Sequence, residues 1–121
     1  MNRLIVIEGK KAKTEKVSTA IFTGTVERTD LIDSATGSNE YQAAIVTFPP
    51  GTRTKLHIHD HEQILYILRG KGIVADKKGE RVVTEGDTIF IPAGENHWHG
   101  AAKDSWFSHL FVYSAKTKTT F

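Results

Sequence analysis

Gly51-Thr-Arg-Thr-Lys-Leu-His57-Ile-His59-Asp-His-Glu-Gln63 is the stretch that decides the fold, and it runs on to Gly70. His57 and His59 are two residues apart in a segment with strand character, so both side chains leave the same face of a sheet. Gln63 places a carboxamide at the start of an apolar run, residues 64–68. Imidazole and amide side chains are candidate metal ligands, but this stretch needs further ligands from elsewhere in the chain to form a metal site.

A second stretch supplies further histidines: Gly86-Asp-Thr-Ile-Phe-Ile-Pro92-Ala-Gly94-Glu-Asn-His97. If residues 96–100 are extended, His97 and His99 share a face, and two such pairs in different β segments meet only across a sheet or a barrel interior. A single histidine on an apolar face is more often structural than a ligand, but all six histidines lie between residues 57 and 109. We predict that one metal ion is bound by His57, His59, Gln63 and His97.

The composition describes one globular domain that spans residues 1–121, with 39% hydrophobic and 25% charged residues. The chain has no cysteine, which excludes disulfides and thiolate ligands. Imidazole and amide ligands suit a divalent metal ion such as Mn, Fe, Ni, Co or Zn. No apolar run is long enough to cross a bilayer or to form the core of a signal peptide, so a cytoplasmic location without membrane contact is expected.

The charge pattern argues against a nucleic-acid partner. The net charge is +2 and the lysines are scattered along the chain, whereas a nucleic-acid surface shows a dense basic stripe with interleaved aromatic residues. We therefore expect a small-molecule substrate.

Short segments rich in β-branched residues, separated by glycine turns, predict an all-β sandwich or barrel, and a double-sheet jelly roll is one common form. Strands are predicted at residues 4–8, 21–28, 40–48, 53–59, 63–69, 72–76, 80–84, 87–91 and 105–113. Only residues 10–19 are candidates for a short helix, and they lack an apolar face. Within the N-terminal arm, residues 1–20, the apolar run 4–7 predicts pairing with a second subunit in a homodimer; alternatively, it completes its own sheet.

The spacing of both stretches resembles the two motifs of the cupins. Gly51-x5-His57-x-His59-x3-Gln63-x6-Gly70 resembles the first motif (51–70), and Gly86-x5-Pro92-x-Gly94-x2-His97 resembles the second (86–101). Two anchors differ: Gln63 replaces the usual acidic ligand, and Ala101 replaces the usual asparagine. The resemblance implies a cupin jelly-roll barrel (a double-stranded β-helix) with a metal ion inside its mouth.

Among cupins, the chain is similar to the small manganese-dependent hydroxynitrile lyases. The shared segments are Phe-Thr-Gly-Thr-Val (22–26), Gly-x-Arg-Thr-x-x-His-x-His (51–59), His-Trp-His-Gly-Ala-Ala (97–102) and a later His-Leu (109–110). The resemblance implies that three histidines and one glutamine bind the metal, with manganese the expected ion. It also implies that Thr54 and His109 contact the substrate.

Several neighbouring residues have more than one interpretation. His109 is expected to act as a general base, with a core histidine as the alternative, and His99 either orients substrate or supports the barrel rim. Glu62 is one residue out of register and is predicted to face solvent, and His61 to lie at the rim. By parity Arg53 and Lys55 share a face with His57 and His59, so they either bind an anionic group or lie solvated at the strand end. Trp98 is expected to point away from the site.

These features predict a metal-dependent lyase for small α-hydroxynitriles or related hydroxy and carbonyl compounds. His109 would move the hydroxyl proton, while Thr54 and His99 orient the substrate. The alternatives are a non-haem metal dioxygenase, since the fold hosts both chemistries, and a non-catalytic module in which the metal orders a pocket for a small ligand.

Overall fold

The computed structural model describes residues 3–121, which form an all-β structure with one short 3-10 turn, Ser34–Thr36, and no α-helix. The strands in that range are β1 (Thr14–Val17), β2 (Val26–Ile32), β3 (Tyr41–Phe48), β4 (Ile58–His59), β5 (Gln63–Asp76), β6 (Gly79–Thr84), β7 (Thr88–Ile91), β8 (Trp98–Ala101), β9 (Phe107–Ser114) and β10 (Thr119–Thr120).

All strand pairs are antiparallel, and β5 connects the two halves of the curled sheet. The main path runs β1-β2-β3-β9-β5-β6, while β7 and β8 also pair with β5. The first part of β5 pairs with β7 and β9, whereas its last part, from Gly72 onward, lies between β6 and β8. One long strand therefore belongs to both walls of a barrel. The prediction of an all-β jelly-roll barrel is confirmed.

The core follows from the alternation of side chains along β3, β9 and β5. Ala44, Val46 and Phe48 of β3 point inward and are almost fully buried. They lie opposite Phe111, His109 and Phe107 of β9, and Leu65 and Ile67 of β5 complete the same layer. Each large apolar side chain buried in this way stabilises the fold by roughly 1.5–3 kcal/mol. The layer forms the floor against which the histidines lie.

Several strand predictions were right in kind but shifted in position. Residues 63–69 and 72–76 form one continuous strand with a register shift rather than two strands. The strand predicted at 21–28 begins at Val26 and extends to Ile32. The strand predicted at 53–59 is interrupted at residues 55–56, which leaves only Ile58–His59 in regular pairing.

The N-terminal arm differs from its prediction. Residues 10–19 do not form a helix, because Thr14–Val17 pairs with Val26–Thr29 as β1. Residues 4–7 pair with no strand of their own chain, so the alternative that this run completes its own sheet was wrong, while its pairing with a second subunit stays a prediction. Leu4 and Val6 are 88% and 73% exposed. Residues 1–2 lie outside the described residues.

Candidate metal and substrate site

The two histidine-bearing segments meet by direct backbone pairing at the mouth of the barrel. His57 and His97 form an isolated antiparallel bridge, with backbone N–H···O distances of 2.9 and 3.0 Å in the two directions. A second bridge joins Arg53 to Gly100. A Cβ on Gly100 would lie 2.4 Å from the Cα of Arg53, so only glycine allows this close approach.

His57, His59 and His97 form a buried cluster suited to a metal ion. Their candidate ligand atoms all lie within 4.8 Å of one another, and the ring centroids of His57 and His97 are 4.2 Å apart. Each ring is held through Nδ1: His57 to the carbonyl oxygen of Lys55 at 2.7 Å, His97 to that of Glu95 at 2.8 Å, and His59 to the hydroxyl oxygen of Thr119 at 2.8 Å. Such contacts fix the tautomer and orient the opposite nitrogen, as in metal-ligating histidines.

Buried atoms without partners support the fit of a metal ion to this cluster. Within residues 3–121, Nε2 of His59, Nε2 of His97 and Oε1 of Gln63 are buried and have no hydrogen-bond partner. Buried polar atoms are normally paired, so these atoms indicate a ligand that they are arranged to bind. Gln63 points inward from the first position of β5, while Glu62 is exposed, as the one-residue register difference predicted.

The three imidazoles are neutral at ordinary pH, which keeps their nitrogen lone pairs free. Burial lowers the pKa of His57 to about 4, and the neighbouring His97 and His59 add to that effect. Burial, together with His97, also lowers the pKa of His59 to about 4, although the Gln63 side chain works in the opposite direction. The pKa of His97 is likewise lowered by burial. Neutral imidazole is the form that binds a divalent ion.

A second pair of histidines lies deeper in the barrel. His99 and His109 have ring centroids 4.9 Å apart and are 5% and 1% exposed. Burial lowers the pKa of His99 well below its usual value, with His109 adding to the effect, and lowers that of His109 to about 4. Nδ1 of His99 and both ring nitrogens of His109 lack partners among the described residues.

Two hydrogen bonds join Thr54 to His99, which lies in the other histidine-bearing segment. The Thr54 backbone N–H donates to the His99 carbonyl oxygen at 2.9 Å, and the His99 N–H donates to Oγ1 of Thr54 at 3.1 Å. Thr54 is only 2% exposed. The hydroxyl accepts from His99 and keeps its own proton available for a ligand.

The structure brings six predicted residues to one cavity of about 350 Å³: Thr54, His57, His59, Gln63, His99 and His109. His97 lies beside it through its contact with His57. Aromatic side chains form much of the wall, and they are Phe22, Phe48, Phe111, Tyr113 and Phe121. A larger groove of about 640 Å³ reaches His97 from the side of β6, but it touches none of the other site residues. The smaller cavity is therefore the candidate substrate pocket.

The parity prediction for residues 53–59 was wrong. It placed Arg53 and Lys55 on the face of His57 and His59, but Lys55 is exposed and Thr54 is the buried residue that faces the cavity. The bend at residues 55–56 resets the alternation, so residues before it follow the opposite parity. The guanidinium of Arg53 instead lies 4.0 Å from the ring centroid of Trp98, outside the cavity.

The remaining predicted residues lie around the site. His61 is partly exposed and contacts Asp60 through Nδ1 at 2.8 Å, so it lies outside the histidine cluster. Trp98 is half-buried and does not line the cavity.

Three further residues of the pocket were missed by the sequence reasoning. Thr119 belongs to the short strand β10, which pairs with β4, and no local pattern connects it to His59. Tyr113 packs its ring 5.4 Å from His59. Arg28 lines the cavity from β2, and its position two residues after buried Val26 was the signal that could have revealed it.

No helix in residues 3–121 is long and apolar enough to cross a membrane.

The chain is similar in sequence to two kinds of characterised protein. The chain is 40% identical over 93 residues to an (R)-mandelonitrile lyase from Granulicella tundricola, an alignment that covers 75% of this chain and 70% of that protein. It is 46% identical over 48 residues to an acireductone dioxygenase from Leptospira biflexa, which covers 36% of this chain and only 27% of that relative.

The structures of relatives match over most of the chain. A cupin-like protein from Thermotoga maritima superposes with a TM-score of 0.81 at 34% identity, covering 88% of this chain and 82% of that one. The family model of the cupin domain matches residues 44–113, which include both histidine segments and the strands that form the pocket floor. The chain belongs to the cupin family.

Proposed function

We propose that the protein is a metal-dependent lyase that cleaves small α-hydroxynitriles into a carbonyl compound and cyanide. The observation that carries the proposal is the division of the buried histidines into a tethered cluster and a partnerless deep pair on one aromatic-walled pocket. The first group is arranged to hold an ion, and the second to handle a substrate proton. The 40% identity to a mandelonitrile lyase supports the same chemistry.

The proposed metal ligands are His57, His59, Gln63 and His97. All four are neutral, so none of them offsets the charge of a divalent ion, and manganese is the ion we expect, with iron, nickel, zinc and cobalt also suited to these donors. Bound there, the ion supplies Lewis-acid polarisation of a ligand oxygen. The protein's part is to hold the four donors in place through contacts such as those from Nδ1 of each histidine.

His109 is the proposed general base. Its ring is buried, burial lowers its pKa to about 4 against the opposing effect of the nearby backbone of Leu110 and His109, and neither nitrogen has a hydrogen-bond partner of ordinary length in the described part of the chain. A neutral imidazole in that state accepts the hydroxyl proton as the carbon–cyanide bond breaks, and the proton later leaves with cyanide as hydrogen cyanide. Thr54 and His99 orient the hydroxyl group, because they are fixed to each other and face the same cavity.

Release of cyanide from mandelonitrile tests the proposal. Wild-type protein loaded with manganese should release cyanide well above a His109→Ala variant whose metal content is the same. Equal, background-level release from both proteins would end the lyase proposal, since it would show that the pocket contributes nothing to the cleavage.

A non-haem dioxygenase is the second candidate, because the chain also matches acireductone dioxygenases. That match covers about a third of the chain and less than a third of the relative. Oxygen uptake by the iron-loaded protein with an enediol or diketone substrate would favour this activity. Cyanide release without oxygen uptake would favour the lyase.

We also propose a homodimer. The apolar run at residues 4–7 is exposed and pairs with no strand of its own chain, and a second copy of the chain offers it an edge strand to pair with. Light scattering on the full chain and on a Val6→Lys variant tests this: dissociation of a wild-type dimer by the substitution supports it, and a wild-type monomer contradicts it.

A further inference from the structure

Arg28 occupies a position in the barrel where an apolar residue would be expected. It follows fully buried Val26 by two residues on β2, so both side chains lie on the inner face. Its cross-strand partners are Glu15 on β1 and Val46 on β3, and Val46 in turn lies opposite His109. Arg28 therefore belongs to a row of cross-strand neighbours that runs through Val46 to the proposed base.

The contacts of Arg28 leave part of its guanidinium free. Nε donates to Oδ1 of Asp30 at 2.7 Å, and the guanidinium carbon lies 5.2 Å from the ring centroid of Phe111. Within residues 3–121, no further hydrogen bond of Arg28 is found, so its terminal nitrogens have no protein acceptor. The Arg28 side chain is 29% exposed and that of Asp30 is 57% exposed, which places the cation on the inner side of the pair.

The acidic side chains near Arg28 do not line the cavity: Asp30 is its ion-pair partner, and Glu15 is its cross-strand neighbour on β1. Of the side chains that line the cavity, Arg28 alone carries a charge at neutral pH, and none is an aspartate or glutamate. The proposed metal ligands are neutral as well, so a bound divalent ion would add positive charge without a compensating carboxylate. A pocket of this kind favours an anionic ligand.

A purely structural role explains the position poorly. Ion pairs as exposed as Arg28 with Asp30 typically contribute little to stability, and an apolar side chain would pack against Val46 and Phe111 without the cost of desolvating a cation. An arginine, by contrast, presents terminal donors in a planar fork that matches a carboxylate.

We infer that Arg28 binds a carboxylate group of the substrate at the wall of the pocket that β2 forms. This inference deepens the proposed function, since it names the substrate class of the same pocket. The strands that carry Arg28 and His109 are separated by β3 alone, so their Cα atoms are about 10 Å apart at about 4.8 Å per strand. A compound with one ring between its reacting carbon and its carboxylate would extend between these two residues along the aromatic wall of the pocket.

The size and lining of the pocket agree with such a ligand. A cavity of about 150 Å³ is enough for a bare benzene ring, and this one is about 350 Å³ with several aromatic walls. The substrate class is therefore a single-ring aldehyde cyanohydrin that carries a carboxylate on the far side of the ring.

The test compares binding of 4-formylbenzoate and its neutral analogue 4-formylbenzamide to the metal-loaded protein by calorimetry. Wild-type protein should bind the carboxylate at least about tenfold more tightly, as expected for a charge-assisted pair. Arg28→Gln should reduce that ratio to near one. Arg53→Gln is the matched control, because Arg53 also stacks on an aromatic ring but lies outside the cavity, and it should keep the wild-type ratio.

Metal content and melting temperature are measured for each variant, so that loss of the ion or of the fold is recognised. If Arg28→Gln does not fold, the Asp30→Asn variant provides the test instead. It removes an exposed counter-charge of Arg28 and should therefore increase the affinity ratio in favour of the carboxylate. An unchanged ratio in Arg28→Gln, an equal loss in Arg53→Gln, or an unchanged or smaller preference in Asp30→Asn would overturn the inference. Binding is measured without turnover, so absence of cyanide release would end the lyase proposal and leave this result intact.

Discussion

The chain contains two His-x-His pairs with the same spacing, and the barrel uses them differently. His57 and His59 both face the cluster, whereas in the second pair only His97 does so and His99 turns toward His109. The reason is the backbone crossing, which bridges His57 to His97 and locks His99 to Thr54. Equal spacing in sequence therefore indicates a shared face, but the neighbouring segment decides what each side chain meets on that face.

The hydrogen bonds of the two groups differ in the same way. Each histidine of the cluster is held through Nδ1, while His99 Nδ1 and both nitrogens of His109 are without partners in the described residues. A tethered imidazole presents one fixed lone pair, as an ion requires. An untethered imidazole can exchange a proton with a substrate. We propose that this difference separates binding from chemistry.

The largest expected effect is loss of the metal on removal of a cluster histidine. His57→Ala and His97→Ala each delete one of the proposed donors, so bound metal should fall to background and activity with it. His99→Ala should retain the ion, because that side chain lies outside the cluster. Elemental analysis of the purified variants measures both outcomes. Metal loss in His99→Ala equal to that in His97→Ala would remove the distinction between the two groups.

Replacing the proposed base should reduce turnover without releasing the metal. His109→Gln keeps a polar side chain of similar size but cannot accept a proton, so kcat should fall by about 10²–10⁴-fold. Steady-state kinetics at matched metal content gives the value. A fall of less than a few-fold would place His109 in the core rather than in the mechanism.

Removing the tether of His59 should weaken metal affinity without abolishing it. Thr119→Val keeps the shape of the side chain but loses the oxygen that contacts Nδ1, and such outer contacts are worth about 10–100-fold in affinity. Thr120→Val is the control, since Thr120 lies next in β10 and its side chain leaves the opposite face of the strand. Titration with a competing chelator compares the two. Equal affinities would show that the tether does not tune the ion.

Side-chain alternation predicted the fold well and the site less completely. Val46 and Phe48 on one strand and His109 and Phe111 on another follow the period of two, so their inward direction can be read from local sequence. The same rule failed for Thr54, which it would have placed on the face opposite His57, because the bend at residues 55–56 reverses the alternation. The contact of Thr119 with His59 joins residues sixty positions apart through the pairing of β10 with β4. Local patterns contain no information on such a contact.

Changing the neutral amide of the proposed ligand set should affect chemistry more than binding. Gln63→Glu restores the carboxylate common at this position in cupins, and its negative charge offsets part of the charge of the ion, which makes the ion a weaker Lewis acid. We expect retained metal and a loss of about tenfold in kcat/KM, about 1.4 kcal/mol at the transition state. Unchanged activity would contradict the idea that a neutral ligand set matters.

The smallest effect concerns the pH dependence of the metal-free protein. Burial lowers the pKa of His109 to about 4 in the folded chain, against about 6.5 when unfolded. Between these two pKa values, His109 is therefore protonated in the unfolded state and neutral in the folded state. The contribution of neutral His109 to stability is complete above about pH 6.5 and is lost as the pH falls toward 4. Between about pH 7.5 and 5.5, the loss of stability from this one residue is on the order of 1 kcal/mol.

The other buried histidines act in the same direction, so the measured quantity is the difference in the free energy of urea unfolding between wild type and His109→Gln. That difference should shrink or reverse as the pH falls. A constant difference across this range would show that His109 does not remain an uncharged, untethered imidazole in the folded protein.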